Sequence, residues 1–171
     1  MPKKEVVDIL ELGYTGLEDD IKEIFLDVAC MRLCLSIRIV VIILESCGHF
    51  QARCGLDVLK EKSLITISKD GEEVVMHDQI IEMGRNIVRC PHRKEPHKHS
   101  HLWETLEIEH ILANDLGTEA TECVDYLASE LSSEFFMKDL RKMKKLRYLC
   151  AYTKSHGGYC FSGDWEFDEV T

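Results

Sequence analysis

Leu64-Ile-Thr-Ile-Ser-Lys-Asp-Gly-Glu-Glu-Val-Val-Met-His-Asp-Gln-Ile-Ile-Glu-Met-Gly-Arg-Asn-Ile-Val-Arg89 carries the pattern around which the rest of the chain is organised. Leu64 to Ser68 alternates and is rich in β-branched residues, Asp70-Gly71 is a two-residue hairpin signal, and Val74-Val75-Met76 reads as the return strand. A helix follows abruptly. Asp78 is a suitable N-cap, and Ile80, Met83, Gly84, Ile87 and Val88 recur at helical spacing to give one apolar stripe. The pattern predicts strand, turn, strand and helix, with Met76-His77-Asp78 at the last junction. There His77 would stand beside the backbone amides of the first helical turn, which have no intrahelical partner.

Working outward, the upstream chain is helical. Val6, Ile9 and Leu10 predict a short helix that stops near Gly13. Glu18 to Cys30 is amphipathic through Ile21, Ile24, Phe25 and Val28, with Asp19 or Asp20 as its cap. The run Leu33 to Leu44 is strongly apolar, but Arg32 and Arg38 interrupt it. It falls short of the ~20 apolar residues a membrane span needs, so it reads as a buried helix or a damaged turn. Ser46 to Phe50 then forms a loop and Gln51 to Lys62 a third helix. Three helices, a hairpin and a further helix make a winged-helix arrangement.

Met76-His77-Asp78, followed by Glu82-Met83-Gly84-Arg85 and Ile87-Val88-Arg89, resembles the MHD motif of plant nucleotide-binding leucine-rich-repeat disease-resistance proteins of the Toll-type branch. Ile24-Phe25-Leu26-Asp27-Val28-Ala29-Cys30 is similar to a second signature of that family. Gly55-Leu56-Asp57-Val58-Leu59 and Lys62-Ser63-Leu64-Ile65 resemble a third. Gly117-Thr118-Glu119-Ala120 resembles the marker at the entry to the repeats. Leu131 to Phe135 and Lys142 to Leu149 look like the first leucine-rich repeat, with Leu146, Leu149 and Ala151 fitting its strand. The resemblance implies a mainly α chain with a small β-hairpin. Residues 1–16 would be the end of a preceding helical subdomain, 17–91 the winged helix and 92–116 a linker and helix. Residues 117–152 would be an incomplete repeat start and 153–171 a loop or disordered tail.

It also implies a function. In the family this His lies at the phosphates of bound ADP and helps hold the receptor off, so His77, Asp78 and Met76 are the candidate cofactor-binding residues. Asp78 would cap the helix and fix the His77 ring. The loop Gly-x-x-x-x-Gly-Lys-Ser/Thr that cradles phosphates is absent from these 171 residues, so ADP is expected only in the context of a full nucleotide-binding domain. The expected partners are the rest of that module and the leucine-rich repeats, with other immune receptors as further candidates. The expected location is the cytoplasm, with the nucleus as the alternative. No catalytic residue is assigned.

Charge and cysteine usage bound the alternatives. A formal net charge of −10 opposes nucleic-acid binding, and the would-be groove helix balances Arg53, Lys60 and Lys62 against Asp57 and Glu61. Eight cysteines without framework spacing, behind an N-terminus lacking an apolar signal core, read as reduced thiols. Cys90 to His101 reads as a flexible linker holding two of the three prolines. Its Cys90, His92, His97, His99 and His101 lack the paired spacing of a structural zinc site, so no metal site is assigned. A metal-binding linker and a non-catalytic interaction fragment are the alternative readings. The basic run Lys138 to Arg147 reads as a solvated face, with an acidic partner surface as the minor alternative.

Overall fold

A computed structural model describes residues 3–31, 35–128, 140–153 and 157–162. The chain forms two compact units, Met1–Val88 and Arg89–Thr171.

The first unit opens with α1 (Lys3–Thr15). This helix passes through Gly13 instead of stopping there, because Thr15 Oγ donates back to the Glu11 carbonyl at 2.6 Å and Gly16 N to Leu12 O at 3.2 Å. α2 (Asp19–Cys30) buries Ile24, Phe25 and Val28 of the predicted stripe, with Ala29 beside them, and leaves Ile21 half-buried. Its N-cap is Glu18, which makes no side-chain cap bond; Asp19 and Asp20 lie inside the first turn, where carboxylates suit the helix dipole. The apolar run becomes α3 (Ile37–Ser46), started by Ser36, whose Oγ accepts from Ile39 N at 3.4 Å. It is half-buried. Val40, Ile43 and Leu44 face the core while Ile39 and Ile42 stay exposed. Among the described residues no helix is long and apolar enough to cross a membrane.

α4 (Ala52–Glu61) buries Leu56 and Leu59, and Gly55 lets α2 approach closely. The wing is β1 (Thr66–Ile67) and β2 (Val74–Val75), antiparallel with Thr66 opposite Val75 and Ile67 opposite Val74. Its loop is longer than Asp70-Gly71 alone. Ser68 N donates to Glu73 O at 2.9 Å, closing a loop inside which Gly71, at φ 76°, donates to Ser68 O at 2.8 Å. Glu73 N also donates to Ser68 Oγ at 3.0 Å. The residues just before α3 flank the wing: Ser36 bridges Glu73, and Ile37 N donates to Glu72 O at 2.7 Å. α5 (Asp78–Arg89) follows and buries Ile80, Met83, Gly84 and Val88 of the stripe read from the sequence, with Ile87 half-buried.

The second unit carries a parallel sheet. The linker is more ordered than its composition suggested, with 3₁₀ turns at Cys90–His92 and Pro96–Lys98. β3 (His101–Leu102), β4 (Cys123–Ala128) and β5 (Tyr148–Thr153) are parallel, and β6 (Gly157–Ser162) adds antiparallel to β5. Residues 157–162 are therefore strand where a loop was expected; the predicted tail beyond residue 162 and the repeat-like Leu131–Phe135 lie outside the described residues. α6 (Thr105–Ala113) contributes Ile108 and Ile111 to a core with Leu102, Val124, Tyr126, Leu140, Met143, Leu146, Leu149 and Ala151. Burial, together with the neighbouring Glu109, raises the Tyr126 hydroxyl above its ordinary pKa.

Three residues of the basic run, Lys142, Lys144 and Arg147, are partnered within the chain. Lys142 meets Asp115 at 2.6 Å, Lys144 meets Glu119 at 3.3 Å and Arg147 meets Glu122 at 2.9 Å. The acidic turn before β4 thus faces the basic turn before β5. Cys150 is disulfide-bonded, against the reduced reading, and its register partner across the hairpin is Cys160. Cys30, Cys47 and Cys123 are buried, and Cys54 and Cys90 are exposed.

Candidate functional site

The three candidate residues leave the wing and enter α5 with different exposures. Met76 is buried under the hairpin, whereas His77 and Asp78 are exposed. Alternation along the return strand accounts for this: Val74 and Met76 point to the core and Val75 and His77 away from it.

His77, not Asp78, caps the helix. Its carbonyl accepts from Ile80 N at 2.8 Å and from Ile81 N at 3.0 Å, and its ring Nδ1 accepts from Gln79 N at 3.2 Å. Asp78 is the first residue of the helix, and among the described residues nothing hydrogen-bonds its carboxylate. The expected cap role thereby passes from Asp78 to His77. An imidazole nitrogen can replace a carboxylate oxygen as the cap acceptor, and a Cβ-linked ring at residue 77 reaches Gln79 more directly.

This geometry sets the tautomer. A ring nitrogen that accepts from an amide carries no proton, so the neutral ring holds its hydrogen on Nε2. Nε2–H is then the donor that this end of α5 offers to a ligand. The amides of Gln79 and Ile80, expected to be unpartnered, are already satisfied by His77 itself.

A second polar feature of the first unit was not singled out in the sequence. His49 Nε2 and Asp27 Oδ2 lie 2.7 Å apart, with side chains 8% and 0% exposed. Asp27 is the polar residue of the Ile24 to Cys30 signature, on the buried face of an otherwise apolar helix. A lone acid among buried apolar positions was the available signal, since such a group needs a partner. The partner comes from a loop 22 residues on, which no local pattern marks.

Two of the linker histidines hydrogen-bond within the linker. His99 is buried and its Nε2 bonds the His92 carbonyl at 2.9 Å, while His101 Nδ1 meets Ser100 Oγ at 2.8 Å. The carbonyls of His97 and His99 accept from Thr118 and Thr121 hydroxyls. Among the described residues Cys90, His92, His97 and His99 do not converge as a set of three.

Helices α2 to α4, the flanked hairpin and α5 define the first unit as a winged-helix domain. The family described as "Disease resistance protein Roq1-like, winged-helix domain" matches residues 18–91. The chain is 37% identical over 142 residues to TMV resistance protein N of Nicotiana glutinosa, covering 83% of the chain and 12% of that protein. It is 33% identical over 159 residues to disease resistance protein RPP2A of Arabidopsis thaliana, covering 93% of the chain and 12% of that protein. With disease resistance protein RPV1 of Vitis rotundifolia it shares 35% over 155 residues, 90% of the chain and 11% of that protein. The chain belongs to the plant disease resistance family and carries its Roq1-like winged helix. It spans about one eighth of the length of these relatives.

Proposed function

We propose that this chain is the regulatory segment of an intracellular plant immune receptor, where His77 senses ADP and holds the receptor in its resting state. The observation that carries the reading is the exposed imidazole at the mouth of α5, its Nδ1 occupied by Gln79 N and its Nε2–H left to donate. Such a donor suits a β-phosphate oxygen, and the positive end of a 12-residue helix favours the same charge. The site is one contact, not a cradle. These residues contain no phosphate-binding loop, so ADP would be held mainly by a nucleotide-binding domain that carries one. That domain and the repeats are the proposed partners, in the cytoplasm, with no catalysis by this segment.

The second unit supports a repeat start. Successive parallel strands pair His101 with Cys123 and Cys123 with Tyr148, offsets of 22 and 25 residues. These fall within the 20–29-residue period of leucine-rich repeats, which stack parallel strands on one face.

The test uses a protein in which this segment is joined to a nucleotide-binding domain with its phosphate loop. His77→Ala should speed ADP release about tenfold, the loss of one charge-assisted contact. Isothermal titration of the 171-residue chain alone with ADP should show no heat. An unchanged ADP release rate in the joined His77→Ala protein defeats the latch.

A further inference from the structure

The winged-helix unit has an open groove of about 730 Å³ between the start of α2, the loop joining α3 to α4, and α4 itself. Phe50 lies in it, 91% exposed. Exposed aromatics on wandering loops are common, but this loop is anchored from both sides. His49 beside it is held by the buried Asp27 pair at 2.7 Å, His49 N donates to Leu44 O at 3.0 Å, and Ala52 N donates to His49 O at 3.0 Å. Gly48, at φ 96°, turns the chain so that Phe50 stands outward. An apolar ring held in water by buried polar bonds marks a contact surface, because nothing in the local packing requires it to be there.

The groove's charge says what would cover it. Glu18, Asp20 and Glu23 line the α2 side and are exposed, with Lys62 as the cation of the opposite wall. Among the described residues none of the three acids makes an ion pair, whereas Lys22 on the same helix pairs with Asp19 at 3.1 Å. Ile21 and Val58 supply an apolar floor beside Phe50. An acidic wall along an apolar floor complements a helix with apolar residues on one face and lysine or arginine along its edge.

We infer that this groove docks a basic amphipathic helix of a partner protein. Phe50 is the anchor, and Glu18, Asp20 and Glu23 set the orientation. This surface is separate from His77 and does not depend on the nucleotide reading.

The experiment uses the full 171-residue chain and a fluorescein-labelled Leu/Lys peptide of about 18 residues, five turns of amphipathic helix. Anisotropy should show saturable binding that weakens with salt. Phe50→Ala and the triple Glu18→Gln, Asp20→Asn, Glu23→Gln variant should each weaken it about tenfold. Both replace exposed side chains, and far-UV circular dichroism checks that the fold is kept. A Lys/Ser peptide and a Leu/Glu peptide should bind at least tenfold more weakly. Equal binding of the Lys/Ser peptide would reduce the effect to net charge and overturn the proposal, as would Phe50→Ala with wild-type affinity. Sedimentation velocity closes the last alternative: a dimer of the free chain abolished by Phe50→Ala would mean that a second copy, not a basic helix, occupies the groove.

Discussion

Gly84 on α5 lies directly against Ala29 on α2. A Cβ added at residue 84 would stand 2.6 Å from the Ala29 Cβ and 3.2 Å from Phe25 Cε1. Both neighbours are fully buried, and a β-carbon cannot swing aside as a long side chain can. Gly84→Ala should therefore force the two helices apart at a cost of about 1–2 kcal/mol, overpacking minus the helix-propensity gain. Gly55 makes an instructive control. There the added Cβ meets Ile24 Cδ1 at 2.5 Å, the flexible end of a side chain, so Gly55→Ala should cost less. Urea midpoints of the two variants check the order, and a lower midpoint for Gly55→Ala would contradict it.

The cap role of His77 has its own signature. Replacing His77 by Ala removes the acceptor of the Gln79 N–H and should cost ~1 kcal/mol of local stability, while Asn at this position should recover most of it. Asp78→Ala loses only a favourable charge in the first turn, about 0.3–0.5 kcal/mol at low salt. Hydrogen exchange at Gln79 reports the difference directly. If Asp78→Ala deprotects that amide more than His77→Ala, the cap has been misassigned.

The wing turn responds to pH through Asp70. The Ser68 hydroxyl, followed by backbone amides, holds its carboxyl below the ordinary value of 3.8. A depressed carboxyl contributes stability that is present above the unfolded-state pKa and lost as pH falls through the folded value. The wing should therefore loosen only in strongly acidic solution. Ser68→Ala should move the Asp70 titration, followed by carbon NMR, back up toward 3.8. A titration that stays where it was would remove the hydroxyl from its cause.

Local periodicity made much of this fold legible, and long-range partnership is where it stopped. The stripe Ile80, Met83, Gly84, Ile87 and Val88 predicts which face of α5 is buried, with only Ile87 left half-buried, since burial follows the 3.6-residue period. The same reasoning misjudged α3, where Ile39 and Ile42 are as apolar as Ile43 and yet remain in water. Composition cannot say which side a uniformly apolar helix will bury. At the junction, a general preference for Asp as cap outweighed the ring one residue earlier. The burial of His99 and the pairing of Asp27 with His49 depend on residues far along the chain, as does the matching of acidic and basic turns.

That matching of turns is the last test, and it bears on how the second unit is built. Arg147 gives both Nε and Nη2 to Glu122 Oε2, at 3.2 and 2.9 Å, and its backbone N donates to the Glu122 carbonyl at 2.6 Å. The two residues sit one strand apart, next to the register pair of Cys123 with Tyr148. Their side chains are 25% and 34% exposed, so the pair is screened only in part. Arg147→Glu should cost more than Arg147→Gln, because it sets like charges together. The double exchange Glu122→Arg with Arg147→Glu should recover about 0.5–1 kcal/mol, the worth of a partly exposed ion pair. Thermal unfolding of the wild type, Glu122→Arg, Arg147→Glu and the double exchange at low and high salt completes the cycle. A coupling that fails to shrink with salt would mean that the backbone contact, not the ion pair, ties β4 to β5.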